Sequence, residues 1–217
     1  MEAIELPERN NKDIAHSVVK GVLGSIPLAG NLVAELFEIV IEPSYNKRLQ
    51  EWIEKTTNLL AQMQEQIEGF NIQKLAGDEE FVSIFIKASL LSHRTHIEEK
   101  RAFLISAVKN SITQPLEFDK KNIFLSLIEQ FSVRHIQMLK DIDHSVAQDA
   151  NFDDHELKPH LRDKYFAGDE LLFELFLKHL SENHLLSFIQ TGVVKEQRRI
   201  WTIHLSQLGV EFVAFIN

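Results

Sequence analysis

Two runs of apolar residues near the N-terminus, 14–26 and 29–41, each repeat with a spacing of three and four residues. This spacing is typical of amphipathic helices, because it places the apolar side chains on one face. Between the runs, Pro27 removes a backbone donor and Gly30 lowers helix propensity. We therefore predict a helical hairpin with a kink or tight turn at these two residues, ended by Pro43.

The pattern over 44–70 predicts one long helix with a coiled-coil-like seam, which packs either inside the same chain or against a second copy. Its seam positions are Leu49, Trp52, Thr56, Leu59, Met63, Ile67 and Phe70. Asp78 is a good N-cap for the helix that follows. That helix has an apolar face of Phe81, Ile84, Phe85, Ala88 and Leu91.

Cap-like residues mark further helix boundaries. Thr95 and Glu98 have the spacing of a capping box, so a new helix begins there unless the two segments run on as one. A helix is predicted over about 119–131, and Ser132 is a suitable cap for another that reaches about residue 143. The chain up to that point therefore predicts a bundle of about six helices.

The C-terminal part of the chain has a different pattern. The segment 144–160 is polar and aperiodic, which indicates a linker or surface loop. A clear helix follows at 169–180, then a short β-prone segment at 184–193 and an alternating strand at 198–206. A short amphipathic helix at 207–217 ends the chain. This order of elements resembles a winged-helix module.

The predicted fold is mainly α, with a multi-helix bundle followed by a small winged-helix-like α+β module. The bundle covers 1–143 and includes the glycine-rich apolar hairpin, and the module covers 144–217. Hydrophobic residues make up 44% of the chain, which is normal for a globular protein with a real core.

The charge of the chain restricts its partners. The formal net charge is −9, and phosphate neutralisation needs clustered Lys and Arg, so we do not expect a nucleic-acid partner. The helix in the position of a recognition helix carries Asp169, Glu170 and Glu174 against one Lys178. The absence of Cys fits a cytoplasmic protein, and the acidic N-terminus does not predict a signal peptide.

Ten histidines prompt a search for a metal site. His93, His96 and Glu99 share a helix face only if that segment is continuous, and their spacing lacks the HExxH form. No phosphate-binding loop, dinucleotide fingerprint or G-x-S-x-G motif is present in the sequence. We therefore predict no metal, no cofactor, no catalytic residue and no enzymatic activity.

The apolar hairpin is the most distinctive segment. Its uncharged run, 21–34, has fourteen residues, fewer than the ~20 with which a helix spans a bilayer. A buried core hairpin is the ordinary interpretation. Small residues, however, allow close helix approach in lipid and weaken helices in water, so the hairpin could detach from its bundle.

Under this second interpretation the hairpin carries out the function of the protein by contact with lipid or a partner. The side chains expected to enter lipid or contact a partner are Val18, Val22, Ile26, Leu28, Leu32, Leu36 and Phe37. The residues expected to permit the change of shape are Gly24, Pro27 and Gly30.

Three stretches of the sequence carry a resemblance: GSIPLAG (24–30), RTHIEEK (94–100) and LGVEFVAFI (208–216). In these the chain is similar to a group of uncharacterised bacterial proteins with GSIPxxG-, RTHxEEK- and LGxEFxxFI-type segments. Its layout also resembles, more loosely, that of abortive-infection alpha-type proteins. The resemblance implies a bacterial protein of stress or phage defence.

The sequence therefore favours a non-enzymatic bacterial effector that is membrane-active or partner-binding through its hairpin. The alternative is an intracellular regulator or adaptor that acts through the winged-helix-like module. A protein partner or homo-oligomer is expected in either case. The expected location is cytoplasmic, with conditional membrane contact on activation.

Overall fold

The computed structural model describes residues 47–148, 154–193 and 199–217. Within these ranges the chain forms nine helices and one two-stranded antiparallel sheet, so the mainly helical fold is confirmed. The helices are α1 (Lys47–Gln66), α2 (Ile72–Ala76), α3 (Glu79–Arg94), α4 (Glu98–Thr113), α5 (Phe118–Gln130), α6 (Val133–Gln148), α7 (Asp154–Phe166), α8 (Glu170–Glu182) and α9 (Gln207–Phe215). The strands are β1 (Leu186–Val193) and β2 (Arg199–Leu205).

The chain divides into two compact units, Met1–Leu125 and Ser126–Asn217, called here the N-terminal unit and the C-terminal unit. The division falls inside α5, whereas the sequence pattern places it between residues 143 and 144. The reason is that α6 packs against β2 and α9, so this helix belongs with the C-terminal elements.

In the N-terminal unit, α1 packs against α3 and α4. Its buried residues are Trp52, Ile53, Thr56, Thr57, Leu60 and Met63. The predicted seam is partly wrong, because Leu60 is fully buried while Leu59 is half-buried and Ile67 is 41% exposed. A helix that covers two neighbours needs a wider apolar face than a coiled-coil seam provides. The seam packs inside the same chain.

Of the two helix caps predicted in this unit, Asp78 is confirmed and Thr95 is not. Asp78 Oδ1 accepts bonds from two first-turn N–H groups of α3, at 3.0 and 3.1 Å, as predicted. The capping box at Thr95 is wrong, since its hydroxyl accepts from the Ile97 N–H in a tight turn and α4 begins one residue later. Glu98 instead accepts a 2.9 Å bond from Lys55, which lowers the pKa of this carboxyl.

In the C-terminal unit, the loop predicted over 144–160 is wrong in part. Helix α6 continues to Gln148 and α7 begins at Asp154, with Pro159 inside it. The buried side chains of α7 include Leu157, Leu161 and Phe166, but only Leu157 lies within the segment predicted as a loop. One buried position and a proline give that part of the helix too weak a period to indicate a helix.

The end of the chain follows the prediction closely. Strands β1 and β2 pair from Leu186 opposite Leu205 to Val193 opposite Arg199. The predicted order of helix, strand, strand and helix is confirmed. The final helix buries Phe212 and Phe215, and Ile216 directly after it is buried as well.

Candidate functional site

Helix α8 is held in the C-terminal unit by one strongly apolar face. Asp169 caps it, with a side-chain oxygen that accepts from the Leu172 N–H at 3.0 Å. Phe173, Leu177 and Leu180 are buried at a spacing of four and three residues. This spacing places all three side chains on the face that packs against the core of the unit.

The opposite face of α8 is also apolar, although it is exposed. Leu171 is 86% exposed and Leu175 is 59% exposed. In a helix with about 3.6 residues per turn, these leucines share one stripe with Lys178 and Glu182. The stripe lies on the side turned away from Phe173 and Leu177. Core packing therefore gives no reason for leucine at either position.

Charged side chains border this leucine stripe. Glu170 accepts a 3.0 Å bond from Arg162, and Lys178 lies 3.6 Å from Glu182. Glu174 is exposed and lies three residues after Leu171, so these two side chains are neighbours on the helix surface. The three carboxylates predicted for this helix are not equivalent, because Asp169 is used as the cap.

A cluster of four aromatic rings connects α8 with the segment around the start of α6. It is called here the histidine cluster and consists of Phe131, His135, Phe176 and His179. The His135 ring is stacked between Phe176, at 3.8 Å between centroids, and Phe131, at 5.2 Å. His179 meets Phe131 edge to face at 5.2 Å. The cluster joins α8 to the start of α6, so it fixes the position of the leucine stripe's helix.

A chain of hydrogen bonds runs through the same cluster. The Ser132 N–H donates to His135 Nδ1 at 3.2 Å, and the His135 N–H approaches Ser132 Oγ at 3.4 Å. His135 Nε2 lies 3.3 Å from His179 Nδ1, and His179 Nε2 lies 2.7 Å from the Gln130 amide. The first pair of bonds is a capping box in which histidine replaces the usual Glu or Gln.

The tautomers of the two histidines are coupled. His135 Nδ1 also lies 2.8 Å from Ser132 Oγ, so it accepts if the hydroxyl donates and donates if the hydroxyl accepts. The role of His135 Nδ1 then sets which ring nitrogen carries the proton in His179, because His135 Nε2 lies 3.3 Å from His179 Nδ1.

A second polar contact joins α6 to α7. Asp141 Oδ2 accepts from the Tyr165 hydroxyl at 2.8 Å and from Lys164 Nζ at 2.6 Å. Burial, reinforced by the bond to Asp141, raises the pKa of Tyr165. The bond to Asp141 also raises the pKa of Lys164. Both shifts favour the protonated forms, so Tyr165 and Lys164 keep the protons that they donate to Asp141 at pH values above their ordinary pKa.

Replacement of His135 tests how the cluster holds the C-terminal unit. We expect His135→Leu to lower the free energy of unfolding by about 2 kcal/mol, because the Ser132 N–H loses its acceptor. His135→Gln should cost about half as much, since Gln is a standard partner in a capping box. Urea denaturation of both variants measures the difference. Equal losses would show that ring stacking, and not the cap, is the main contribution.

The residues predicted from sequence to form a site are not brought together. The hairpin positions, from Val18 to Phe37, lie outside the described residues. His93 lies in the last turn of α3, His96 lies between the two helices and Glu99 lies in α4. The three residues therefore share no continuous helix face. In the parts of the chain that the structure describes, no group of three or more potential ligands surrounds a common point.

Comparison with protein families, curated proteins and solved structures finds no match for this chain. Among the helices in the described ranges, none is long and apolar enough to cross a membrane. The site must therefore be interpreted from its own geometry.

Sequence reasoning missed both the leucine stripe and the histidine cluster. A signal for the stripe was present, because the segment 169–180 is apolar on two faces and not on one. The capping box also had a signal, since Ser132 and His135 have the required spacing. Nothing in the sequence indicates the stacking of His135 on Phe176, which is a contact between distant segments.

Proposed function

We propose that the protein is a non-enzymatic adaptor that binds a protein partner through the leucine stripe of α8. The observation that carries this proposal is the exposure of Leu171 and Leu175 on the face turned away from the core. Leucines one turn apart are the usual anchors when one helix binds another. Helix α8 directly precedes a β-hairpin, which is the position of a recognition helix in winged-helix-like modules.

The charges beside the stripe support one kind of partner. Glu174 borders Leu171 and Glu182 continues the leucine stripe, and the chain as a whole carries a net charge of −9. A cationic amphipathic helix would place apolar side chains on Leu171 and Leu175 and basic side chains on these carboxylates. A duplex nucleic acid would instead bring phosphates towards the same carboxylates, which is unfavourable.

A labelled helical peptide of Leu and Lys, with leucines along one face, is the probe for this surface. We expect the double change Leu171→Ser and Leu175→Ser in the full chain to weaken peptide binding at least about tenfold, because two apolar anchors are lost. Fluorescence anisotropy measures the affinity. A peptide in which Glu replaces Lys should bind much more weakly to the unchanged protein.

Leu90 provides a matched control, since it is 54% exposed on α3 of the N-terminal unit. Leu90→Ser should leave peptide binding unchanged. If it weakens binding as much as the double change does, the peptide adheres to exposed leucines in general and the proposal fails. Unchanged binding by the double variant also contradicts it. The predicted role of the N-terminal hairpin stays a separate prediction, based on sequence alone.

A further inference from the structure

A cavity of about 210 Å³ lies in the N-terminal unit, where the start of α3 meets the end of α4 and the first turns of α5. The buried side chains of Phe81 and Ile84 contribute apolar surface to its lining. Its volume is below the roughly 300 Å³ of pockets for drug-sized ligands, so it suits a small metabolite.

Residues of both charges line the cavity. Glu80 lines it from α3 and Lys121 from α5, while Ser111 and Ile112 belong to the last turn of α4. Asp78 lines it too, but its Oδ1 accepts from first-turn N–H groups of α3. Carbonyl groups in a last turn have no partner within their helix, and this end of a helix favours cations. The lining residues thus combine carboxylate, ammonium and apolar side chains.

We infer that this cavity binds a small zwitterion, an α-amino acid with an aliphatic side chain. Its ammonium group binds Glu80 and the last carbonyl groups of α4, and its carboxylate binds Lys121. Its side chain packs on Phe81 and Ile84. A simple fatty acid lacks the cation for Glu80, and a simple amine lacks the anion for Lys121. Neither matches the complete lining.

Leucine and two analogues test this inference on the full chain. Leucinamide lacks the carboxylate, and 4-methylpentanoate lacks the amine. We expect leucine to bind with a dissociation constant on the order of 1 mM, a reasonable affinity for so small a ligand. Each analogue should bind about tenfold more weakly, which is the usual effect of losing one charge-assisted hydrogen bond. Isothermal titration or ligand-observed NMR measures these affinities.

Two lysine variants locate the site. Lys121→Gln should reduce the affinity for leucine to that for leucinamide, whereas Lys109→Gln, an exposed position on α4, should change nothing. Circular dichroism checks that both variants remain folded. Equal binding of all three compounds, no binding of leucine, or unchanged binding by Lys121→Gln would each overturn the inference.

Discussion

Gly209→Ala is expected to destabilise the C-terminal unit by about 3 kcal/mol, since it forces two backbone segments apart. A Cβ at this position would overlap the carbonyl oxygen of Leu185 and lie 3.3 Å from Leu205 Cβ. The same Leu185 carbonyl accepts a 3.0 Å bond from the Ser206 N–H, the residue that caps α9. Neither backbone segment can move without the loss of this bond.

Urea denaturation followed by circular dichroism measures this effect. Gly77→Ala is the matched control, because its Cβ would make only an ordinary contact, at 3.7 Å from a backbone oxygen. We expect the control to remain within about 0.5 kcal/mol of the unchanged protein. If Gly209→Ala changes the free energy of unfolding as little as Gly77→Ala does, the close approach of α9 to Leu185 is contradicted.

Trp52→Ala is expected to destabilise the N-terminal unit by about 3–5 kcal/mol, the usual cost of removing a large buried aromatic side chain. Trp52 is only 1% exposed, at the packing of α1 on α3. Its indole N–H donates to Ser89 Oγ at 3.0 Å, and that hydroxyl donates to the Phe85 carbonyl at 2.8 Å. The substitution removes both the packing and the first of these bonds.

Ser89→Ala separates the hydrogen bond from the packing. It leaves the buried indole N–H of Trp52 without its acceptor, so we expect a loss of about 1–3 kcal/mol. Ser83→Ala, at an exposed position of the same helix, should change the free energy of unfolding by less than about 0.5 kcal/mol. A loss for Ser89→Ala as small as that of the control would show that the hydrogen bond from Trp52 to Ser89 contributes nothing measurable to the free energy of unfolding.

Local signals in the sequence account for most of the helix boundaries. Asp78 and Ser132 were predicted as caps, and both accept bonds from the first turn of the following helix. Alternation over 198–206 predicted β2 in the same way. These features depend on neighbours within a few residues, and such neighbours are visible in a sequence.

Features that depend on distant segments were harder to predict. The position of Leu60 in the core follows from the two helices that α1 covers, which no spacing within α1 specifies. Helix α7 has few apolar positions, so its stability depends on packing and on the contact of Tyr165 with Asp141. The unit boundary depends on where α6 packs, and its own sequence does not determine this.

The candidate site was accessible to sequence reasoning only in part. The spacing within 169–180 indicates which leucines lie opposite Phe173, but a pattern alone does not show that no described residue of the unit covers them. The structure adds this information through the exposed fraction of Leu171. The hydrogen-bonded contacts of the histidine cluster likewise required the geometry of three separate helices.

If the leucine stripe binds a partner as proposed, folding constrains one face of α8 and binding constrains the other. Leu171 and Leu175 are exposed to solvent in the folded unit, so polar substitutions there should leave cellular abundance nearly unchanged. Phe173 and Leu177 are buried, and their loss reduces abundance through the free energy of unfolding. Neighbouring positions of α8 can therefore evolve under different constraints. Substitutions on the exposed face can change binding specificity while the buried face keeps the fold.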